Sequence, residues 1–186
     1  TPYNYSSYCR IHRRGEWRLL PAMGLKVAKF GGSSLSDADQ FRKVKDILLS
    51  DPDRRFVVPS APGRRFKEDD KVTDLLYRCF KLAQTGQSYS ECFSRIVTRY
   101  CDIIRDLGID LDLLPALHEA EKEIARSDNP DYAASRGEYL SGLLLSEYLG
   151  WDFIDPVDVI KFDRRGTFAS EWTNEMLKKA LEEHPH

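Results

Sequence analysis

The segment Lys29-Phe30-Gly31-Gly32-Ser33-Ser34 sets a lysine and two adjacent glycines at the end of a short apolar run and just ahead of a helical pattern. A strand-to-helix turn of this kind presents backbone N–H groups at the positive end of a helix. Glycines there let an anion approach the main chain, and a neighbouring lysine adds a full charge. Phosphate binding is one reading; a tight turn beside a surface lysine is the other. The residue order differs from the GxxxxGK[ST] loop, whose lysine follows its glycines, and from the GxGxxG turn of dinucleotide folds. Three more groups could serve related chemistry. Ser60 closes the run Val57-Val58-Pro59-Ser60-Ala61-Pro62-Gly63, Thr73-Asp74 opens a helical pattern, and Arg136-Gly137-Glu138 stands at the entrance of a nearly all-apolar helix. Taken alone, Ser60 reads as a turn residue, and Thr73-Asp74 as a helix start with an acid near the dipole. Ionised Arg136 and Glu138 beside an apolar helix cost on the order of several kcal/mol each to desolvate unless each other or a charged ligand compensates.

The elements that must position these groups follow from periodicity. Leu25 to Phe30 reads as a strand ending in Gly31-Gly32, and the next helix starts with Ser36 and Asp39 in a capping-box-like spacing, with Phe41, Val44, Ile47 and Leu48 on its apolar face. Phe56 to Val58 reads as a second strand. Pro59 at its end lacks a ladder N–H, which suggests an edge or a slight displacement of Ser60. From Arg64 to Lys71, seven of eight side chains are ionisable, and the segment is expected to be an exposed, mobile loop. Helices are expected over 72–83, 89–107, 111–127 and 132–149, stopped by Gly86, Gly108, Asn129-Pro130 and Gly150. Phe153-Ile154 and Val157 to Phe162 read as strands, and Trp172 to Leu181 as a last helix. Strand, helix, strand, helices, strand is an α/β order with a largely parallel sheet between helices.

Composition narrows the function. The 186 residues carry 28 Lys plus Arg against 30 Asp plus Glu, a net charge of -2 that offers no field for nucleic acid or an anionic membrane. No apolar run reaches the roughly 18 residues of a membrane span, and no secretory signal pattern opens the sequence. The expected compartment is the cytoplasm. Cys9, Cys79, Cys92 and Cys101 form no CxxC pair and read as buried, reduced thiols, and His12, His118, His184 and His186 suggest no zinc site, so no metal ligands are assigned. Residues 1–22 are rich in Tyr, Ser and Arg without apolar periodicity, and read as a non-native or disordered leader ahead of a domain over 23–186.

Lys29-Phe30-Gly31-Gly32-Ser33-Ser34 resembles the opening signature of aspartate kinases. Val57 to Gly63 with Lys71-Val72-Thr73-Asp74 resembles the second signature of that family, and Ser135-Arg136-Gly137-Glu138-Tyr139-Leu140-Ser141 the third. The resemblance implies a three-layer αβα sandwich of the amino acid kinase type, here truncated, and transfer of the ATP γ-phosphoryl group to the β-carboxylate of L-aspartate. The product would be 4-phospho-L-aspartate, on the way to lysine, threonine and methionine. It further implies that Lys29 contacts the transferring phosphoryl group, with Phe30, Gly31, Gly32 and Ser33 at the phosphates. Ser60, Thr73 and Arg136 would help hold substrate, and Glu138 would bind its α-amino group. ATP, Mg2+ carried by the nucleotide, and a homo-oligomer in the full-length enzyme are implied as well. Relatives continue into an Arg-Gly-Gly-Ser-Asp segment and an adenine-binding region, so this stretch alone is expected to bind ATP poorly. An inactive or amino-acid-binding remnant, or a kinase of the glutamate or carbamate type, are the alternatives.

Overall fold

The computed structural model describes residues 8–13, 16–21 and 24–184. In chain order its elements are β1 (Tyr8–Arg13), β2 (Glu16–Pro21), β3 (Lys26–Phe30), a 3-10 turn (Gly32–Leu35), α1 (Ala38–Leu49), β4 (Arg54–Pro59), α2 (Val72–Gln84), α3 (Ser90–Leu107), α4 (Leu114–Arg126), α5 (Pro130–Leu149), α6 (Pro156–Val159) and α7 (Ser170–Glu183). Of the leader expected over 1–22, the described residues form the antiparallel pair β1–β2; its other residues, and Met23, lie outside the described residues.

The fold is mixed α/β, with a central parallel sheet flanked by helices. β3 and β4 pair in parallel with Ala28 opposite Val57, Lys29 opposite Val58 and Phe30 opposite Pro59. Side chains alternate across a strand, so this register sends Ala28, Phe30 and Val57 to one face and Val27, Lys29 and Val58 to the other. The first set packs on the main core. Val27 and Val58 on the second face are 67% and 50% exposed. Pro59 causes no displacement: the one register irregularity lies at Lys26/Val27, the far end of the pair. Ser60 N–H donates to Phe30 O at 3.0 Å. Successive N–H groups point to opposite strand edges, so the donor missing at Pro59 belongs to the edge away from β3, where proline is tolerated.

The core is built where the helical faces converge. Phe41, Val44 and Leu48 of α1, Leu75, Leu76 and Cys79 of α2, Phe93, Ile96, Tyr100 and Ile103 of α3, and Leu140, Leu144 and Leu145 of α5 are all buried. Burial of each such side chain is worth about 1.5–3 kcal/mol, which explains why α5 holds together despite apolar residues around most of its circumference. Cys79 and Cys92 are buried free thiols, whereas Cys101 is exposed, against the expectation for it; it falls one position past Tyr100, off the buried stripe of α3. The side chain of Cys9 lies outside the described residues.

Three local expectations are corrected. The cap of α1 is Asp37, whose Oδ1 accepts from Gln40 N at 3.0 Å, because the 3-10 turn uses up the residues before it and Ser36 Oγ donates to Asp37 instead. Residues 153–154 and 157–162 are not strands. Asp155 caps the short helix α6 by accepting from Val157 N with Pro156 in its first turn, and Phe162 only bridges to Phe168. Phe153 is held by packing: its ring meets Tyr139 edge-on at 5.7 Å and fills the space a Cβ at Gly142 would need. Finally, the charged 64–71 loop is pinned at Asp69, which is 6% exposed.

Candidate active site

The ends of β3 and β4 open into two loops, 31–34 and 60–63, that lie backbone against backbone. Gly63 N–H donates to Gly32 O at 2.7 Å. A Cβ at Gly63 would sit 2.6 Å from Gly32 C and 2.8 Å from Ser33 N; one at Gly32 would sit 2.8 Å from Ala61 O. Only glycine fits at either position, since the obstructing atoms are main chain. The two glycines therefore serve first to let the loops meet.

Lys29 leaves the sheet on its exposed face, and its Nζ lies 3.9 Å from where a Cβ on Gly31 would be, so the ammonium folds over the first glycine of the turn. Among the described residues no carboxylate pairs with it. The 3-10 turn that follows has no side-chain cap, and its first N–H groups are those of Gly32 and Ser33, with Ser33 exposed. Phe30 is placed differently. Its side chain packs inward on the core, leaving only its main chain at the loop.

Glu138 reaches the second of these loops, 60–63, from α5. Its Oε1 stands 3.5 Å from Ala61 N, and among the described residues no cation pairs with it. The approach is made possible by Gly137, where a Cβ would come within 2.5 Å of the Ala61 Cβ and 3.2 Å of Leu76 Cδ1. Tyr100, wholly buried in α3, fixes this turn of α5 by donating its hydroxyl proton to Gly137 O at 2.8 Å. Burial pushes the Tyr100 phenol well above its usual range, so it remains a donor. Arg136 does not pair with Glu138. It lies over the rings of Tyr132 and Tyr139 at 4.6 and 4.9 Å and donates to Ser135 Oγ.

Ser60 and Thr73 are half-buried and belong to the same neighbourhood. Ser60 is stitched to β3 through its own N–H, and the start of α2 is tied to the second loop where Val72 N–H donates to Pro62 O at 3.0 Å. Thus Lys29, Gly31, Gly32, Ser33, Ser60, Thr73 and Glu138 sit on segments joined by direct contacts, with Phe30 and Arg136 turned to other partners.

A second layer escaped the reading of the sequence. Arg99 of α3 is 4% exposed, and its guanidinium donates to Gly63 O at 2.8 Å, Ser36 O at 3.5 Å, Asp70 O at 3.2 Å and Asp69 Oδ2 at 2.6 Å. Asp69 also accepts from Arg65 Nε and N–H, at 2.9 and 3.0 Å. The Arg65 hydrogen bonds, with Arg99 adding its charge, hold the Asp69 carboxyl well below the usual carboxylate range although burial works the other way. Burial moves Arg99 down from its own ordinary value, but a guanidinium stays charged in proteins. A signal existed: Arg99 occupies a position on the apolar face marked by Cys92, Ile96 and Ile103.

Among the described residues no group of three or more His, Cys, Asp or Glu gathers as a metal site, and no helix is long and apolar enough to cross a membrane.

No family model matches the chain. Aspartokinase 3 of Bacillus subtilis (strain 168) is 34% identical over 145 residues, an alignment that covers 72% of this chain and 32% of that protein. The crystal structure of Clostridium acetobutylicum aspartate kinase is similar with a TM-score of 0.82 at 44% identity, over 86% of this chain and 37% of that one. E. coli aspartokinase III in complex with aspartate and ADP gives a TM-score of 0.69 over 84% of this chain and 37% of that one; at 23% identity it speaks for the fold alone. The chain spans about a third of the length of these relatives. With the same fold, and with sequence identity carried across most of its length, the chain belongs to the aspartate kinase family and corresponds to part of that family's catalytic domain.

Proposed function

We propose that this chain carries the acceptor-binding and phosphoryl-facing part of an aspartate kinase, which moves the γ-phosphoryl group of ATP to the β-carboxylate of L-aspartate. The observation that carries the reading is the pairing of opposite charges on one pair of loops: Lys29 over Gly31, and Glu138 against Ala61, neither with an ion-pair partner among the described residues. A phosphate matches the first and an α-ammonium group the second. Gly32 and Ser33 supply uncapped N–H groups beside the lysine, which suits a phosphoryl oxygen. Ser60 and Thr73, on segments tied to these loops by backbone hydrogen bonds, would help orient aspartate.

The chemistry asks little beyond this. Aspartate's β-carboxylate is already ionised at neutral pH, so no general base has to create the nucleophile, and the protein's task is to align donor and acceptor and to neutralise charge on the transferring group. Among the described residues no group of three or more carboxylates gathers as a metal site, and Asp69 is committed to Arg65 and Arg99. Magnesium would enter with the nucleotide, as the likeness to aspartate kinases suggests, and would supply charge neutralisation for the transferring group. As the carboxylate oxygen attacks the γ-phosphorus, the bond to the bridging oxygen of ADP breaks, leaving an acyl phosphate.

That product provides the test. Hydroxylamine traps acyl phosphates as coloured hydroxamates, so this segment within a complete catalytic domain, incubated with ATP, magnesium and L-aspartate, should yield aspartyl hydroxamate, with glutamate and carbamate giving none, whereas the segment alone should yield little or none. Hydroxamate from glutamate instead would move the assignment to another amino acid kinase. Saturable aspartate binding without hydroxamate would support an amino-acid-binding remnant.

A further inference from the structure

We infer that Arg99 is a positioning residue, a side-chain clamp that helps set the phosphoryl-facing loop, the acceptor-facing loop and the start of α2 against one another. The inference rests on the kinase reading for its functional consequence but not for its geometry. Four acceptors converge on one buried guanidinium, and they come from three segments: Ser36 O closes the turn that begins at Gly31, Gly63 O ends the 60–63 loop, and Asp69 with Asp70 O leads into Thr73. A buried cation is tolerated there only because those acceptors compensate it. The planar fork matters: its nitrogens are fixed relative to one another, so satisfying Asp69 with one side of the fork dictates where Gly63 O must lie.

The neighbouring residue extends the same logic. Tyr100, next to Arg99 on α3, holds Gly137 O, one residue from Glu138. One turn of α3 thus reaches both loops and the acceptor-binding turn of α5, without touching any atom expected to react. The groups expected to align donor and acceptor sit on those separate segments, and displacements of about 1 Å in such alignments are known to cost on the order of a hundredfold in rate.

Arg99→Lys supplies the first test. Lysine can replace the charge opposite Asp69, but as a single point donor it cannot also span Gly63 O and Asp70 O. Should Arg99→Lys fail to fold, the double variant Arg99→Met with Asp69→Asn removes the charge pair together and avoids a stranded buried ion. In the full chain, amide hydrogen exchange at Gly63, whose N–H closes the contact to Gly32, is expected to speed up at least tenfold while Ile96 and Leu144 in the core keep their protection. Unchanged exchange at Gly63, or an equal loss at Gly63 and in the core, overturns the clamp. Turnover is measured on the same samples, well below the lowest melting temperature. Where the parent chain forms hydroxamate, Arg99→Lys should lower kcat at least tenfold with the aspartate KM within about twofold, and unchanged kcat overturns the inference. Where the parent chain forms none, as expected of this segment alone, the exchange result decides the clamp by itself.

Discussion

Lys29 and Glu138 face different parts of the proposed reaction, so their removal should separate kinetically. Lys29 is exposed and makes no ion pair among the described residues, and Lys29→Ala should shift unfolding free energy by no more than about 0.5 kcal/mol. Its effect should fall on kcat, by a factor of about 10²–10³, the usual cost of losing one preorganised charge donor. Glu138→Ala should instead raise the aspartate KM with kcat nearly kept, as expected where an interaction is equal in ground and transition states. Steady-state kinetics in the hydroxamate assay distinguish the two, and an unaltered aspartate KM for Glu138→Ala would detach that residue from the ammonium group. Gly63→Ala makes a different case. Its Cβ would press on main-chain atoms of Gly32 and Ser33, which cannot rotate away, so a loss of about 1–3 kcal/mol is expected by urea unfolding. Gly31→Ala, which meets only the flexible end of Lys29, is the control. The reactive candidates were legible in the sequence because a lysine beside paired glycines and an acid beside an apolar helix are chemically conspicuous. Arg99 was missed although it lies on the apolar stripe with Cys92, Ile96 and Ile103, since a cation at such a position shows its role only once its acceptors on the neighbouring loops are known.

At the scale of elements, the 64–71 loop shows how composition can mislead. Seven ionisable side chains in eight positions suggest a solvated strand of chain, and five of the residues, Arg64 to Glu68, are indeed exposed. Asp69 nevertheless turns inward, because Arg65 and Arg99 compensate its burial better than water on one side would. The Asp69 pKa is depressed on folding, so the pair's contribution is complete above the ordinary carboxylate range near about pH 4 and fades as pH falls toward the native value. Asp69→Asn should cost about 3–5 kcal/mol at neutral pH and flatten the acid limb of a stability-versus-pH curve. Parallel curves for parent and variant down to pH 2 would show that Asp69 does not drive that limb. The same scale explains the misread segment after Gly150. β-Branched and aromatic residues at 153–162 suggest strands, but Asp155-Pro156 is a helix-start signal, and Pro156 cannot donate to a ladder. The long helices were easier, since their stripes repeat over several turns and their ends at Gly108 and Gly150 adopt the left-handed conformation glycine favours.

For the molecule as a whole, the sheet is asymmetric. One face is sealed by the helices, while Val27 and Val58 on the other, next to Leu25 at 64%, remain open to solvent. Contiguous apolar surface of this kind binds hydrophobic dyes. The chain is expected to enhance the fluorescence of such a dye under native conditions, and Val27→Thr with Val58→Thr should lower that signal without lowering the melting temperature by more than a few degrees. An equal signal from both proteins would place the apolar surface elsewhere, for instance around Phe162, Phe168 and Trp172.

The edge of β4 away from β3, as distinct from the open face, has a limit of its own at Pro59. Any extended segment that aligned along the margin of β4 away from β3 could gain rungs from the residues before it, but at Pro59 the rung is missing. The zipper would stop one residue short of Ser60. Main-chain pairing along that margin would therefore end before it reached the contact between Gly32 and Gly63.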